Sequence, residues 1–134
     1  MTPPAEAGAA RPISILYVED NEYLREAIGA LFDGEGREVV LAANGEEASK
    51  RCTERRFDLV VTDVSLPGMS GIDLARRLLA AEPARWIVIC SGYDFAANVA
   101  QLGPNVRVLR KPFEIEALDA LLAEAMASRA AAGG

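Results

Sequence analysis

Histidine is absent from this sequence of 134 residues. Its absence excludes every mechanism in which this chain itself supplies a histidine base, nucleophile or metal ligand. Any phosphohistidine chemistry would need a histidine from a partner protein. Long hydrophobic runs are absent as well: no stretch approaches the roughly 20 apolar residues of a membrane span, and no signal peptide is visible. We therefore expect no membrane insertion.

Cysteine is scarce, since only Cys52 and Cys90 occur in the chain. The two have no metal-ligand spacing, and Cys90 ends an apolar run. Small secreted domains use several cysteines as a disulfide framework, which this pattern does not resemble. The two residues therefore predict reduced, buried thiols in a cytoplasmic protein.

Basic residues are outnumbered, at 14 against 20 acidic residues, which gives a net charge of −6 and a pI of about 4.7. An acidic surface repels the phosphate backbone, so direct nucleic-acid binding is not expected. Hydrophobic residues make up 51% of the chain and charged residues 25%, as in ordinary globular proteins. The length fits one domain.

The two ends of the chain differ from its middle. Residues 1–12 are rich in proline and alanine without periodicity, and they predict a flexible leader. Residues 128–134 are similar and predict a flexible tail. The folded domain is therefore expected over residues 13–127.

Short apolar runs alternate with amphipathic stretches between these ends. The runs are Ile13 to Val18, Glu38 to Ala42, Leu59 to Thr62, Trp86 to Cys90 and Val106 to Leu109. Runs this short and this rich in valine, isoleucine and leucine are typical of strands that are buried on both faces.

The stretches between the runs predict helices. Apolar stripes with helical spacing are Leu24, Ala27, Ile28 and Leu31; Leu74, Leu78 and Leu79; and Leu118, Leu121, Leu122 and Ala125. Two pairs have the spacing of helix N-terminal caps: Asn44 with Glu47, and Ser70 with Asp73. A short fourth helix is predicted near Asp94 to Gly103. Alternation of strands and helices indicates an α/β fold with a parallel sheet covered on both faces.

Polar residues follow four of the predicted strands. They are Glu19-Asp20-Asn21, Asp63, Ser91-Gly92 and Lys111-Pro112. In open parallel sheets the ligand site lies beyond the carboxyl ends of the strands. The sequence therefore brings three carboxylates, a hydroxyl and an ammonium group to one edge of the sheet.

Carboxylates this close together repel one another unless they are protonated or bind a cation. Oxygen ligands suit Mg²⁺, which uses one or two carboxylates and keeps several waters. Asp20 and Asp63 are the predicted direct ligands, and the longer Glu19 is predicted to act through a water. Such a cation makes attack of Asp63 on phosphorus feasible, with Lys111 and Ser91 contacting other phosphoryl oxygens.

Taken singly, each of these residues has an ordinary structural explanation. An aspartate after a strand is usually a helix cap, and Glu19-Asp20 alone is typical of a charged helix start. A serine such as Ser91 is most often a turn residue, and Lys111-Pro112 says little beyond a proline that opens a helix. The joint pattern at separate strand ends favours a functional site.

With these motifs in place, the chain resembles the response-regulator receiver family over nearly all of residues 13–127. The segments that carry the resemblance are ILYVEDN (15–21), FDLVVTDVSLPGMSGIDL (57–74), CSGY (90–93) and LRKPF (109–113). The resemblance implies a flavodoxin-like (βα)5 fold with strand order 2-1-3-4-5.

The resemblance also implies a role for each matching residue. Asp63 corresponds to the phosphorylated aspartate, Glu19 and Asp20 to the Mg²⁺-binding pair, and Ser65 to the residue whose main-chain carbonyl completes the metal shell, with Mn²⁺ as an alternative ion. The switch hydroxyl corresponds to Ser91, and the invariant lysine to Lys111, before a cis proline.

The implied function is two-component signal transduction without an enzymatic output. A sensor histidine kinase or a histidine phosphotransfer protein is the expected phosphodonor, and an unspecified downstream protein is the expected reader.

Two features depart from the family pattern. Val108 stands where many receivers have an aromatic switch residue. The usual Gly-Ala before the fifth strand is replaced by Leu102-Gly103-Pro104-Asn105. The shortened segment is similar to that of receivers attached to hybrid histidine kinases. Both departures concern the output of the domain rather than its phosphorylation.

Three other functions are less consistent with these residues. An aspartate-nucleophile phosphohydrolase needs a second aspartate two residues after the nucleophile, where Ser65 stands. A flavin-binding module needs a phosphate loop after the first strand, where Glu19-Asp20 would repel the phosphate. A phosphorylation-independent pseudo-receiver scaffold would be natural if a site residue were missing, but all are present.

Overall fold

A computed structural model describes residues 12–34, 36–92, 99, 101–112 and 114–131 of the chain. Its strands are β1 (Ile13–Val18), β2 (Arg37–Ala42), β3 (Leu59–Asp63), β4 (Ile87–Ser91) and β5 (Val106–Arg110). They form one parallel sheet in the order β2-β1-β3-β4-β5. This arrangement confirms the predicted fold class and strand order. The predicted strand limits differ by no more than one residue at either end.

The helices among the described residues are α1 (Glu22–Phe32), α2 (Gly45–Glu54), α3 (Gly71–Ala81) and α4 (Ile115–Ala131). Side-chain oxygens cap the first three. Asn44 accepts the main-chain N–H of Glu47 at 2.8 Å, and Ser70 accepts that of Asp73 at 3.1 Å. Both predicted capping pairs are thus confirmed. Each cap satisfies one of the main-chain donors that a helix leaves unpaired at its N-terminus.

The apolar side chains divide into two clusters, one on each face of the sheet. On one face α2 and α3 cover alternate residues of the central strands, such as Leu16, Val60 and Ile87. On the other face α1 and α4 cover the intervening residues, such as Ile15 and Val61. Each central strand is therefore buried on both sides, which explains why its sequence is continuously apolar rather than alternating.

The buried face of α1 differs from the predicted stripe. Gly29 and Phe32 are its buried residues, whereas Leu24 and Leu31 keep 41% and 59% of their surface exposed. Phe32 packs edge-on against Tyr17, with ring centroids 5.0 Å apart. The large ring takes the core position, and the stripe that contains Leu24 and Leu31 is rotated toward solvent.

The last helix extends beyond the predicted domain end. Residues 128–131, which the sequence assigned to a flexible tail, continue α4. Arg129 forms an ion pair of 2.9 Å with Asp58 just before β3, and both side chains are largely buried. This ion pair joins the last turn of α4 to the residue before β3. The helix therefore continues to Ala131, the last residue that the structure describes, rather than ending at residue 127.

Other predictions fall largely outside the described residues. The short fourth helix near Asp94 to Gly103 is one of these, since only Val99 and residues 101–103 of it are described. Of the predicted leader, only Pro12 is described. In the described part of the chain, no helix combines the length and the apolar character needed to cross a membrane.

Candidate functional site

The order in which the chain adds strands to the sheet reverses between β1 and β3. From β1 the chain crosses to β2 on one side, and later to β3 on the other, so the two crossovers diverge above this pair of strands. Ligand sites in open α/β sheets form at such a switch point. The residues at the carboxyl ends of β1 and β3 are Glu19, Asp20 and Asp63.

These three carboxylates form a compact cluster. Each offers an oxygen that lies within 4.8 Å of the others. Glu19 is buried, Asp63 keeps 9% of its surface exposed, and Asp20 is exposed. The cluster therefore opens to solvent on the Asp20 side and is enclosed on the Glu19 side.

Lys111 provides the positive charge that faces this cluster. Its Nζ donates to Asp63 Oδ2 at 2.9 Å and lies 3.7 Å from Glu19 Oε1. Burial lowers the pKa of Lys111, but the hydrogen bond and charge of Asp63, with the charge of Glu19, outweigh it and raise the pKa overall. Lys111 is therefore held as a cation. The predicted cis peptide bond joins it to Pro112.

Burial and negative charge govern the other titratable groups at this edge. Burial raises the pKa of Glu19, and the nearby Asp63 carboxylate raises it further, against the opposing effects of the Asn21 N–H and Lys111. Burial also raises the pKa of the Tyr17 hydroxyl, with a further contribution from Glu19. Lys111 offsets part of the charge of the three carboxylates, so among the described residues the cluster retains an excess of negative charge.

The two serines occupy different positions. Ser91 ends β4 and is fully buried, and its carbonyl accepts the main-chain N–H of Lys111 at 2.8 Å. This bond connects the hydroxyl-bearing residue to the lysine across neighbouring strands. Ser65 is exposed, and its main-chain N–H donates to Asp63 Oδ1 at 3.3 Å. Each carboxylate oxygen of Asp63 thus accepts from a different group, Lys111 or Ser65.

A further contact lies behind the acidic pair, and the sequence analysis did not predict it. Arg25 Nη1 donates to the main-chain carbonyl of Glu19 at 2.8 Å and to that of Asp20 at 3.4 Å. The acceptors are main-chain carbonyls, which every residue has, so the side chains of Glu19 and Asp20 do not predict this contact. The available signal is the spacing, which places an arginine near the start of the helix that follows the acidic pair.

An apolar cavity of about 400 Å³ lies beside the cluster, between α1 and the start of α4. It is lined by Tyr17, Glu19, Leu24, Ile28, Leu31, Lys111, Pro112 and Ile115. The exposed Leu24 and Leu31 of α1 border this cavity, so the side chains that the core excludes line one wall of it.

The donor set fits a hard divalent cation. Three carboxylates converge, one of them exposed, and all offer oxygen. Mg²⁺ prefers oxygen ligands and retains waters, so a site that opens to solvent on one side meets its requirements. Lys111 leaves the cluster with net negative charge, which favours a cation further.

Comparison with known proteins agrees with this geometry. The family model for the response regulator receiver domain matches residues 15–123. The virulence sensor protein BvgS of Bordetella pertussis is 35% identical over 144 aligned residues, which cover 96% of this chain and 12% of that protein. Sporulation initiation phosphotransferase F of Bacillus subtilis is 32% identical over 105 residues, covering 76% of this chain and 84% of that protein. The chain therefore spans about an eighth of the sensor protein but most of the phosphotransferase.

Solved structures show the same architecture. A response regulator receiver protein from Pseudomonas putida is 35% identical and superposes with a TM-score of 0.76, covering 87% of this chain and 98% of that one. The response regulator TrrA of Thermotoga maritima, solved in complex with Mg²⁺ and BeF, is 26% identical with a TM-score of 0.74, covering 84% and 97%. Together with the strand order and the family match over most of the sequence, these similarities show that the chain belongs to the response regulator receiver domain family, the phosphoacceptor domains of two-component signalling.

Proposed function

We propose that Asp63 is the phosphoacceptor of this receiver domain and that it takes a phosphoryl group from a partner phosphohistidine. The observation that carries the proposal is the position of its carboxylate. It ends the central strand β3, lies within 4.8 Å of the oxygens of Glu19 and Asp20, and pairs with Lys111 at 2.9 Å.

Each neighbouring side chain has a task in the transfer. An oxygen of Asp63 bonds to phosphorus as the bond from phosphorus to the donor histidine nitrogen breaks. A Mg²⁺ ion held by Asp20 and Asp63, with Glu19 acting through a water and the Ser65 carbonyl as a further ligand, would neutralise charge on the phosphoryl oxygens. Mn²⁺ would serve as an alternative ion.

Lys111 and Ser91 complete this proposal. The Lys111 ammonium is already within hydrogen-bond distance of Asp63, so it can contact a phosphoryl oxygen attached there. The hydroxyl of Ser91 would donate to another oxygen, and such a bond to an anion is charge-assisted. Movement of Ser91 toward the phosphoryl group would then report phosphorylation to the rest of the domain.

The phosphodonor is a partner protein in this proposal. The chain has no histidine of its own, so the phosphohistidine would be that of a sensor histidine kinase or a histidine phosphotransfer protein. The result is a signalling role in the cytoplasm, in which the domain catalyses only its own phosphorylation and dephosphorylation and a separate protein or domain reads the change. The acidic surface makes direct nucleic-acid contact unfavourable.

Intact-mass measurement after incubation with a small acyl phosphate and Mg²⁺ tests the acceptor. We expect the wild type to gain one acid-labile phosphoryl group and Asp63→Asn to gain none. Asp73→Asn, which alters an exposed aspartate at the start of α3, is the matched control and should be labelled as the wild type is. Equal labelling of the wild type and Asp63→Asn would refute the assignment.

The metal ligands are tested separately. Asp20→Asn should weaken Mg²⁺ binding more than Glu19→Gln, because the exposed Asp20 is assigned direct coordination and Glu19 contact through a water. Calorimetric titration measures both affinities. The reverse order would show that the two roles are exchanged.

A further inference from the structure

Arg25 lies in the second turn of α1 and reaches back to the loop that carries the acidic pair. Its Nη1 donates to the carbonyl of Glu19 at 2.8 Å and to that of Asp20 at 3.4 Å. The side chain is half-buried. Two consecutive carbonyls at the end of β1 therefore share one guanidinium donor.

The main-chain N–H of Glu19 donates to the carbonyl of Ala42 on β2 at 3.0 Å, and the bonds that follow it along the loop are local. The Asn21 N–H donates to Glu19 Oε2 at 3.1 Å, and Asn21 Oδ1 accepts the N–H of Leu24 at 3.0 Å. The Arg25 N–H bonds the carbonyl of Asn21 at 2.8 Å. The Arg25 guanidinium thus connects the main chain of Glu19 and Asp20 to α1.

Main-chain position determines where the two carboxylates point. Mg²⁺ demands near-ideal geometry and gives up its waters reluctantly, so its ligands must be placed before it binds. Mutation of a group that orients a metal ligand typically weakens metal affinity about 10–100-fold. The bond from Glu19 to Ala42 holds the loop on its N–H side. Without the Arg25 contact, the carbonyl side would be held less firmly, and the exposed Asp20 would be freer to rotate away.

We propose that Arg25 is a positioning residue for the divalent-cation site: by binding the carbonyls of Glu19 and Asp20 it fixes the main chain that presents their carboxylates. This inference rests on the proposed function of the same site. The proposal gives a structural role to the positively charged Arg25 side chain, beside a site that would hold Mg²⁺.

The charge of Arg25 and its positioning role predict opposite changes in Mg²⁺ affinity when the side chain is removed. A positive side chain near a dication repels it, so removal of the Arg25 charge alone would tighten Mg²⁺ binding. Loss of positioning would weaken it. The sign of the change in affinity therefore distinguishes the two effects without any need to separate their magnitudes.

The experiment is a calorimetric Mg²⁺ titration of the full chain with Arg25→Met, which keeps much of the apolar stem and the helix propensity. We expect the Kd for Mg²⁺ to rise about tenfold, the lower end of the range for groups that orient ligands. Arg25→Lys keeps a donor and the charge and should fall between Arg25→Met and the wild type. Hydrogen exchange of the metal-free protein should show faster exchange at the Asn21 amide in Arg25→Met.

Arg37→Met is the matched control. It removes an arginine that pairs with Asp119 at 2.9 Å, at the opposite end of the sheet. It should reduce thermal stability while changing the Kd for Mg²⁺ by less than about twofold, since distant sites act independently. A similar rise in Kd for this variant would reduce the effect of Arg25 to general destabilisation and overturn the proposal.

The outcomes separate this inference from the proposed function. Mg²⁺ affinity unchanged or tightened in Arg25→Met, in a wild type that binds Mg²⁺ normally, overturns the role of Arg25 alone. A wild type that fails to bind Mg²⁺ overturns both. Weakened binding together with faster exchange at Asn21 supports the positioning role, even if Arg25→Met is less stable, provided that thermal melting shows it folded at the titration temperature.

Discussion

We expect substitution of Gly71 by alanine to displace the main chain at Asp63. Gly71 begins α3, and its N–H bonds the carbonyl of Val64 at 2.9 Å. A Cβ atom added at Gly71 would lie 2.2 Å from the main-chain oxygen of Asp63 and 2.9 Å from Val64 Cα. Both contacts are with main-chain atoms, so no side chain can rotate to make room.

The expected cost follows from these distances. Non-bonded heavy atoms settle at separations of about 3.5 Å or more, so the added carbon is more than about 1 Å too close. Small-to-large substitutions in packed sites cost about 1–3 kcal/mol. Because here the main chain of β3 or of α3 must move, we expect the upper end, about 3 kcal/mol. For a chain of 134 residues this lowers Tm by about 10 °C.

Gly29→Ala is the matched control, since it also produces a contact that is too short. Its Cβ would lie 2.8 Å from Leu41 Cδ2, the mobile end of a side chain. Alanine gains up to about 1 kcal/mol over glycine within a helix. We therefore expect the unfolding free energy of Gly29→Ala to stay within about 1 kcal/mol of the wild type.

Thermal and urea denaturation measure both variants, and phosphorylation with a small acyl phosphate provides a second reading. Displacement of the Asp63 main chain should slow labelling of Gly71→Ala about tenfold or more at a temperature where it is folded, while Gly29→Ala should be labelled at the wild-type rate. The reasoning fails if Gly71→Ala loses less than about 1 kcal/mol, or if Gly29→Ala loses as much.

Two further predictions concern the far end of the sheet and the buried thiols. Arg129→Met should cost about 2–3 kcal/mol in urea denaturation, because it removes the guanidinium 2.9 Å from the largely buried Asp58 carboxylate, which keeps the N–H of Ser14 as a donor. Arg76→Met, an exposed control, should change stability by less than about 0.5 kcal/mol, and equal losses would refute the argument. Burial raises the pKa of Cys90 to about 12, so iodoacetamide at pH 8 should alkylate the half-buried Cys52 first and Cys90 only after unfolding. Peptide mapping measures both, and early labelling of Cys90 would contradict this.

The sheet and the candidate site were predictable from the sequence for the same reason. Strands buried on both faces have continuously apolar sequences, and their carboxyl ends must meet at one edge. The polar residues that interrupt the apolar runs therefore mark the site directly. Glu19, Asp63 and Lys111 come together in this way although they are far apart in sequence.

The remaining features depend on contacts that the sequence does not encode locally. The exposed stripe of α1 has the periodicity of a core face, but Phe32 fills the available volume and turns Leu24 outward. Arg25 contacts carbonyls, which every residue has. Arg129 pairs with a residue 71 positions away in sequence, so alanine-rich composition alone gave the wrong end for the last helix.

The Asp58–Arg129 ion pair has a mechanical consequence. It fastens α4 at the end of the sheet opposite Lys111, and a helix of 17 residues is about 25 Å long. Between the two ends, Leu118 and Leu122 pack the helix against the sheet. A displacement of Lys111 and Pro112 would reach α4 first at Ile115, and we expect it to diminish along the helix toward Arg129. The ion pair thus anchors the end of α4 that lies farthest from the candidate site.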